Sequence, residues 1–154
     1  MSRMVRVMGA FVLVALVLAG CGETSGNVGG DQQAVIDQAD EICLDAQDAV
    51  GTTLGDDPGA DRDAIRAATE KLMAINEPSQ NQNRWELFVQ NHNNLWIVLD
   101  DIAQSLDPNV NDRARADRAR VTMASVHDNL KKYAGQYKAE ECANGYGRAP
   151  RNRD

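Results

Sequence analysis

The chain has 154 residues, a formal net charge of −7 and 43% hydrophobic residues, of which few are aromatic. That length holds one domain with its own core and not two. The acidic balance argues against nucleic acid as a partner, because such binding rests on clustered Lys and Arg meeting phosphates, and it equally disfavours broad docking on anionic lipid.

Arg3 and Arg6 precede an almost wholly apolar run from Val7 to Leu18, which ends in the small residues Ala19 and Gly20 before Cys21. A basic flank, an apolar core of roughly 7–15 residues and a small-residue cleavage site make a secretory signal, whereas a transmembrane helix needs about 20. Residues 1–20 are therefore expected to be a signal peptide. The run Leu18-Ala19-Gly20-Cys21 resembles the lipobox of bacterial lipoproteins. That resemblance implies cleavage just before Cys21, a diacylglyceryl group on its thiol, and a mature protein anchored by lipid on the outer face of the bacterial plasma membrane. The competing reading is an ordinary secretory signal whose cleavage falls near a cysteine by accident. One acyl chain anchors only marginally, at about 0.8 kcal/mol per buried methylene, so two chains on one cysteine make the attachment stable. Loss of Arg3 and Arg6 takes the formal charge from −7 to −9, which leaves the anchoring to the lipid.

Residues 21–30 are expected to be a flexible tether, since Gly22 to Gly30 is rich in Gly, Ser and Thr and has no apolar pattern. Its root-mean-square span is roughly 16–18 Å, from 5–6 Å times the square root of its length. From there the apolar spacing predicts four helices. In the first, about 31–51, Ile36, Ala39, Cys43, Ala46 and Val50 recur at steps of three and four, widened by Val35, Ile42 and Ala49. Asp57-Pro58, an N-cap acid before a first-turn proline, opens the second. Ile65, Ala68, Leu72 and Ile75 share one of its faces, and it stops before Pro78. The third, about 79–106, carries Trp85, Phe88, His92, Leu95, Leu99, Ile102 and Leu106. Asp107-Pro108 opens the fourth in the same cap-then-proline order, with Ala116, Ala119, Met123, Val126, Leu130, Tyr133 and Tyr137 along its stripe. No stretch keeps the two-residue period of a strand. Short connections favour antiparallel neighbours, so the expected fold is an all-α, up-down-up-down four-helix bundle over residues 31–142. Residues 143–154 are expected to be a disordered polar tail.

With Cys21 assigned to lipid, Cys43 and Cys142 remain as a pair in a compartment where disulfides persist. They are expected to be bonded, closing a loop of about 100 residues worth roughly 4–5 kcal/mol in the chain-entropy model. Two separate buried thiols are the alternative. An up-down bundle returns the end of helix four to the start of helix one, yet Cys43 sits about three turns in. Either helix one overhangs at its start, or the chain after helix four folds back.

His92 lies on the apolar stripe of helix three between Phe88 and Leu95. A histidine there suits a metal, a haem, a titrating switch or simply a satisfied core position. His127, beside Val126, is the other histidine. Counting from the turn near Asp107 sets the two at levels differing by roughly 7–8 Å at 1.5 Å per residue, which speaks against a two-histidine metal site. Asp37, Glu41, Asp45 and Asp48 form an acidic stripe on helix one. Oxygen ligands of this kind gather divalent cations, but cross-helix pairs, for which helix four offers Arg113, Arg115, Arg118 and Arg120, or a plainly solvated face account for such a stripe as well. Gln80 to Asn83 and Gln90, Asn91, Asn93 and Asn94 surround Trp85 and Trp96. Amides beside an aromatic face suit a glycan or peptide, with Trp96 the more exposed indole and Trp85 on the core stripe.

No nucleophile elbow, zinc-protease helix or phosphate-cradling glycine loop appears, so no enzyme, cofactor or metal is expected. Beyond the anchor, Ile42-Cys43, the Glu77-Pro78 break, Trp85 and Cys142 give the chain a spacing similar to the small helical lipoproteins common in actinobacteria. That resemblance implies a disulfide-closed helical domain in the cell envelope and transfers no catalytic residue. The sequence thus points to a tethered, non-enzymatic binding module, with membrane contact through Cys21 and an envelope protein or cell-wall glycan as partner. The alternative is a small-ligand or metal carrier that uses the bundle interior around His92 and Met123.

Overall fold

The computed structural model describes residues 28–76 and 81–147. The expected signal peptide, Cys21 with its lipid, the tether as far as residue 27, the Glu77-Pro78 break and the tail from residue 148 lie outside them. The described residues form five helices and no strand: α1 Val28–Val50, α2 Pro58–Ala74, α3 Gln82–Leu106, α4 Arg113–Tyr137 and α5 Glu140–Asn144. The all-helical class thus holds, with one helix more than the apolar spacing predicts. α1 also begins earlier than expected, inside the stretch assigned to the tether.

Capping explains most boundaries. Asp57 accepts the N–H of Ala60 at 3.1 Å, and Pro58 occupies the first turn of α2, where its missing N–H costs nothing. The preceding loop is held from inside by Asp61, which is buried and accepts the N–H of Gly55 at 2.6 Å. Gly55 has φ +90°, and an added Cβ would stand 3.0 Å from the Met123 terminal methyl, so this turn requires glycine and rests on α4.

The start of α4 corrects the sequence reading. Asp107-Pro108 does not open that helix. Asp107 ends α3 instead, and its carboxylate accepts the N–H of Asn109 at 2.8 Å, while its carbonyl accepts from Val110 and Asn111. This is an Asx turn, which competes with helix formation. Asn111 then adopts a left-handed φ of 46°, and Asp112 becomes the true N-cap, accepting from Arg115 N at 2.9 Å.

α1 packs on α2, α2 on α3 and α3 on α4, while α5 packs on both α4 and α1. The predicted stripes turn inward: Ile36, Cys43, Leu72, Phe88, Leu99 and Met123 are all buried. Leu106, which the stripe of helix three included, is 37% exposed because it lies at the turn. At one end of the core Trp85 sits between Phe88 and Tyr137, with ring centroids 5.5 and 5.2 Å away. Tilted ring pairs at that spacing add modestly to area burial.

After Tyr137 the chain folds back on α1. Lys138 takes the left-handed C-cap position, and the Ala139 N–H reaches the Ala134 carbonyl at 3.0 Å. α5 then docks across the middle of α1. Asp40 accepts the N–H of Glu141 at 2.9 Å, and Gln47 donates to the Glu141 carbonyl at 2.6 Å. Cys43 and Cys142 are disulfide-bonded, with Cα atoms 5.1 Å apart. Of the two ways to bring them together, the chain takes the fold-back. The domain also continues past Cys142: Tyr146, placed in the loose tail by the sequence reading, is fully buried.

Candidate functional site

Polar groups are concentrated where α1, α2, α3 and the segment after α5 meet. His92 comes from the middle of α3 and is completely buried. Its Nδ1 lies 3.1 Å from Thr69 Oγ1 on α2, and Thr69 itself donates to the Ile65 carbonyl at 2.8 Å. A hydroxyl has one proton. With that proton committed to Ile65, Thr69 accepts from His92 Nδ1–H, which leaves His92 Nε2 as an acceptor. The Tyr146 hydroxyl fills that role in a short hydrogen bond. The same hydroxyl stands 3.2 Å from Cys43 Sγ, so the disulfide forms the far wall of the centre. Phe88 and Tyr146 meet the imidazole in edge-on ring contacts at 5.8 and 5.2 Å.

His127 on α4 is also buried, and its Nε2 accepts the backbone N–H of Tyr146 at 3.0 Å. The two histidines thus hold the two ends of one residue. Gly145 makes the approach feasible. It has φ +76°, and an added Cβ would lie 2.5 Å from His127 Nε2. Gly147 allows a similar approach on the other side, where a Cβ would lie 2.8 Å from the Leu54 backbone nitrogen.

Burial sets the titration of the centre. Desolvation pulls His92 from 6.5 down to about 3. His127 is lowered first by desolvation and then by Lys131, against a smaller opposing pull from Asp128. Burial raises Tyr146 well above its usual range. At neutral pH both imidazoles are uncharged and the phenol keeps its proton. Tyr137, in the aromatic cluster, is pushed up to about 12 by burial, and its hydroxyl has no hydrogen-bond partner among the described residues.

The other expected sites are dispersed. Trp85 is 3% exposed and serves the core. Trp96 is half-buried; its Nε1 donates to Asn93 Oδ1 at 3.0 Å, and the Arg66 guanidinium lies over its ring at 5.6 Å. Asp45 of the acidic stripe pairs with Lys71 of α2 at 3.3 Å, while Arg115 of α4 pairs with Asp101 of α3. The cross-helix pair of this acidic stripe is thus made with α2, and Asp37 and Asp48 are exposed. Among the described residues no three His, Cys, Asp or Glu side chains converge as a metal site would require, and no helix is long and apolar enough to cross a membrane.

Besides a polar hollow of about 360 Å³ lined by Asn81, Gln82, Asn83 and Arg84 at the start of α3, two shallow grooves mark the outer surface of the described residues. One, of about 350 Å³, lies between the end of α2 and the start of α3 and is lined by Met73, Ile75, Trp85, Glu86, Val89, Gln90 and Asn93. The second, between α1 and α2, shares Ile75 and adds Ile42, Ala74 and Lys71. Met73, at 66% exposure, is the most exposed large apolar side chain among the described residues.

Sequence reasoning reached His92, Cys43 and Cys142 but missed Thr69 and Tyr146. The available signal was a lone tyrosine between two glycines just after a cysteine. Fold and centre define a disulfide-closed helical domain whose interior is organised by a buried histidine–tyrosine pair. No family model, curated protein or solved structure matches the chain.

Proposed function

We propose that this protein is a lipid-anchored lipoprotein of the cell envelope, held at the outer face of the plasma membrane through Cys21, that acts as a non-enzymatic binding module for another envelope protein. Its helices α1 to α4 run up-down-up-down, a topology supported by their packing in sequence order, with α5 wedged between the last and the first. The observation that carries the reading is the closed interior. Both ring nitrogens of His92 are engaged and the Tyr146 ring fills the space beside it, so ligand contact belongs on the surface. This disfavours the carrier alternative. Asp40, Asp61, His92 and His127, four groups whose titration is shifted, are each committed to internal hydrogen bonds and line none of these grooves.

The surface groove favours a peptide over a glycan. Sugar rings stack on open aromatic faces, whereas Trp85 is buried and Trp96 packs against the core with Arg66 over its ring. Met73, Ile75 and Val89 instead present an apolar floor, with Gln90 and Asn93 at hand to read a peptide backbone. The occupant that fits is an extended segment contributing an apolar side chain.

Native mass spectrometry of protein extracted gently from its own membrane tests this reading. The expected species carries lipid at Cys21 and a second protein. Cys21→Ala should release the chain from the membrane, and Met73→Asp should lose the partner while keeping lipid and fold. An unlipidated mass starting elsewhere, or a partner indifferent to Met73→Asp, would overturn it.

A further inference from the structure

We propose that residues 144–147 form an acid-released latch: neutral His92 and His127 together hold Tyr146 in the core, and proton uptake by the two imidazoles ejects it while the Cys43–Cys142 bond keeps α5 on α1. This stands apart from the docking reading and rests on the hydrogen-bond roles within the centre. A backbone N–H only donates, so His127 Nε2 must be unprotonated to hold Tyr146 N. Thr69 directs its proton to Ile65, so His92 Nε2 must be unprotonated to accept from the Tyr146 hydroxyl. A proton on His127 Nε2 sets donor against donor, while a proton on His92 Nε2 reverses that bond, turns the phenol's own proton to the weak acceptor Cys43 Sγ and places a charge in a fully buried setting that the departure of Tyr146 opens.

The surroundings offer little compensation. Around His92 stand Thr69 from α2, Cys43 from α1, Phe88 on α3 and Tyr146, none of them charged at neutral pH. Around His127, Lys131 opposes protonation and Asp128 favours it. The α5 side supplies Glu140 and Glu141, with Asp40 of α1 accepting the Glu141 N–H. Asp40 is raised, chiefly by desolvation. Because α5 stays on α1 when the latch opens, that contact is the same in both forms and its titration leaves release unaffected.

The histidines do lose a contact on release, since each is bonded to Tyr146. Their folded-state pKa values lie below the unfolded value of 6.5, so the released state binds more protons. Latch stability is full above about pH 6.5 and declines as the pH falls towards the folded-state values. Each proton taken up on release raises the open population about tenfold per pH unit. The disulfide confines the movement, because Cys142 stays fixed to Cys43 and only the residues beyond it are free to leave.

Amide hydrogen exchange by NMR on the oxidised protein, corrected for intrinsic rate and followed from about pH 7.5 to 5, reads this directly. Below about pH 6.5 Tyr146 and Gly147 should lose protection with a slope that steepens past one decade per pH unit, two being the limit for two protons, while Leu95 and Leu99 of α3 stay protected. His127→Gln keeps an acceptor that does not titrate and should bring the slope near one. A slope of zero, parallel opening of α3, or no effect of His127→Gln would overturn the latch. A second measurement needs no variant: nitrogen shifts at pH 7.5 should show both histidines carrying their proton on Nδ1. A proton on Nε2 of either overturns its half of the mechanism.

Discussion

Tyr146 gives the sharpest test of the structure, because it lies beyond the last helix that the apolar spacing predicts. It is fully buried, its ring contacts His92 at 5.2 Å, and its hydroxyl and N–H meet two different histidines. Tyr146→Ala leaves an aromatic-sized hole, and truncation of a buried ring costs about 3–5 kcal/mol. Tyr146→Phe keeps the ring and deletes one oxygen. It leaves His92 Nε2 as a buried acceptor without a donor, at about 1–3 kcal/mol. The nearby Cys43 Sγ changes this little, since sulfur is a weak acceptor. Small domains have about 5–15 kcal/mol in all, so the alanine variant should give up a large share of it. The assay is urea unfolding of the oxidised protein at pH 7.5, with slopes compared to confirm two-state behaviour. Losses below about 0.5 kcal/mol for alanine, the scale of a surface change, would place Tyr146 outside the core. Equal losses for phenylalanine and alanine would refute the packing half of the reasoning.

Two further outcomes follow from the same geometry. Replacing Cys43 and Cys142 together by alanine opens a loop with sequence separation 99 and should cost about 4–5 kcal/mol in the chain-entropy model. Reduction of the native protein should lower its unfolding free energy by a similar amount, and an unchanged midpoint would count against the bond. The corrected start of α4 predicts that Asp112→Ala costs about 1 kcal/mol as a lost N-cap, whereas Asp107→Ala stays within about 0.5 kcal/mol. The reverse order in thermal unfolding would restore the helix start to Pro108.

The four long helices were legible because their apolar residues recur at helical spacing over several turns, and Asp57-Pro58 marked a boundary that the structure keeps. Asp107-Pro108 looks the same and behaves differently. After Pro58 come Gly59, Ala60 and Asp61, which continue a helix; after Pro108 come Asn109, Val110, Asn111 and Asp112, whose short polar side chains satisfy the backbone locally. α5 spans only Glu140 to Asn144, too short to show any period. Its position is set by the disulfide and by Asp40 rather than by propensity. His92 was visible as a histidine on an apolar stripe, but its partners were not. Thr69 and Tyr146 lie 23 and 54 residues away, and a single sequence holds no sign of that convergence. Nor did counting residues along the helices show that His92 and His127 meet the two ends of one tyrosine.

The cross-link also decides how the molecule bears tension. α2, α3 and α4 all lie between Cys43 and Cys142. A pull applied between the two ends of the chain is carried by α1 as far as Cys43, crosses the sulfur–sulfur bond and leaves through Cys142. The enclosed helices feel none of it. Peeling the described residues on either side of the bond would pay out only about 70 Å at roughly 3.3–3.6 Å per residue, after which the covalent link stops further extension. The domain would yield a short length at its margins while the face carrying Met73 and Val89 keeps its shape under load.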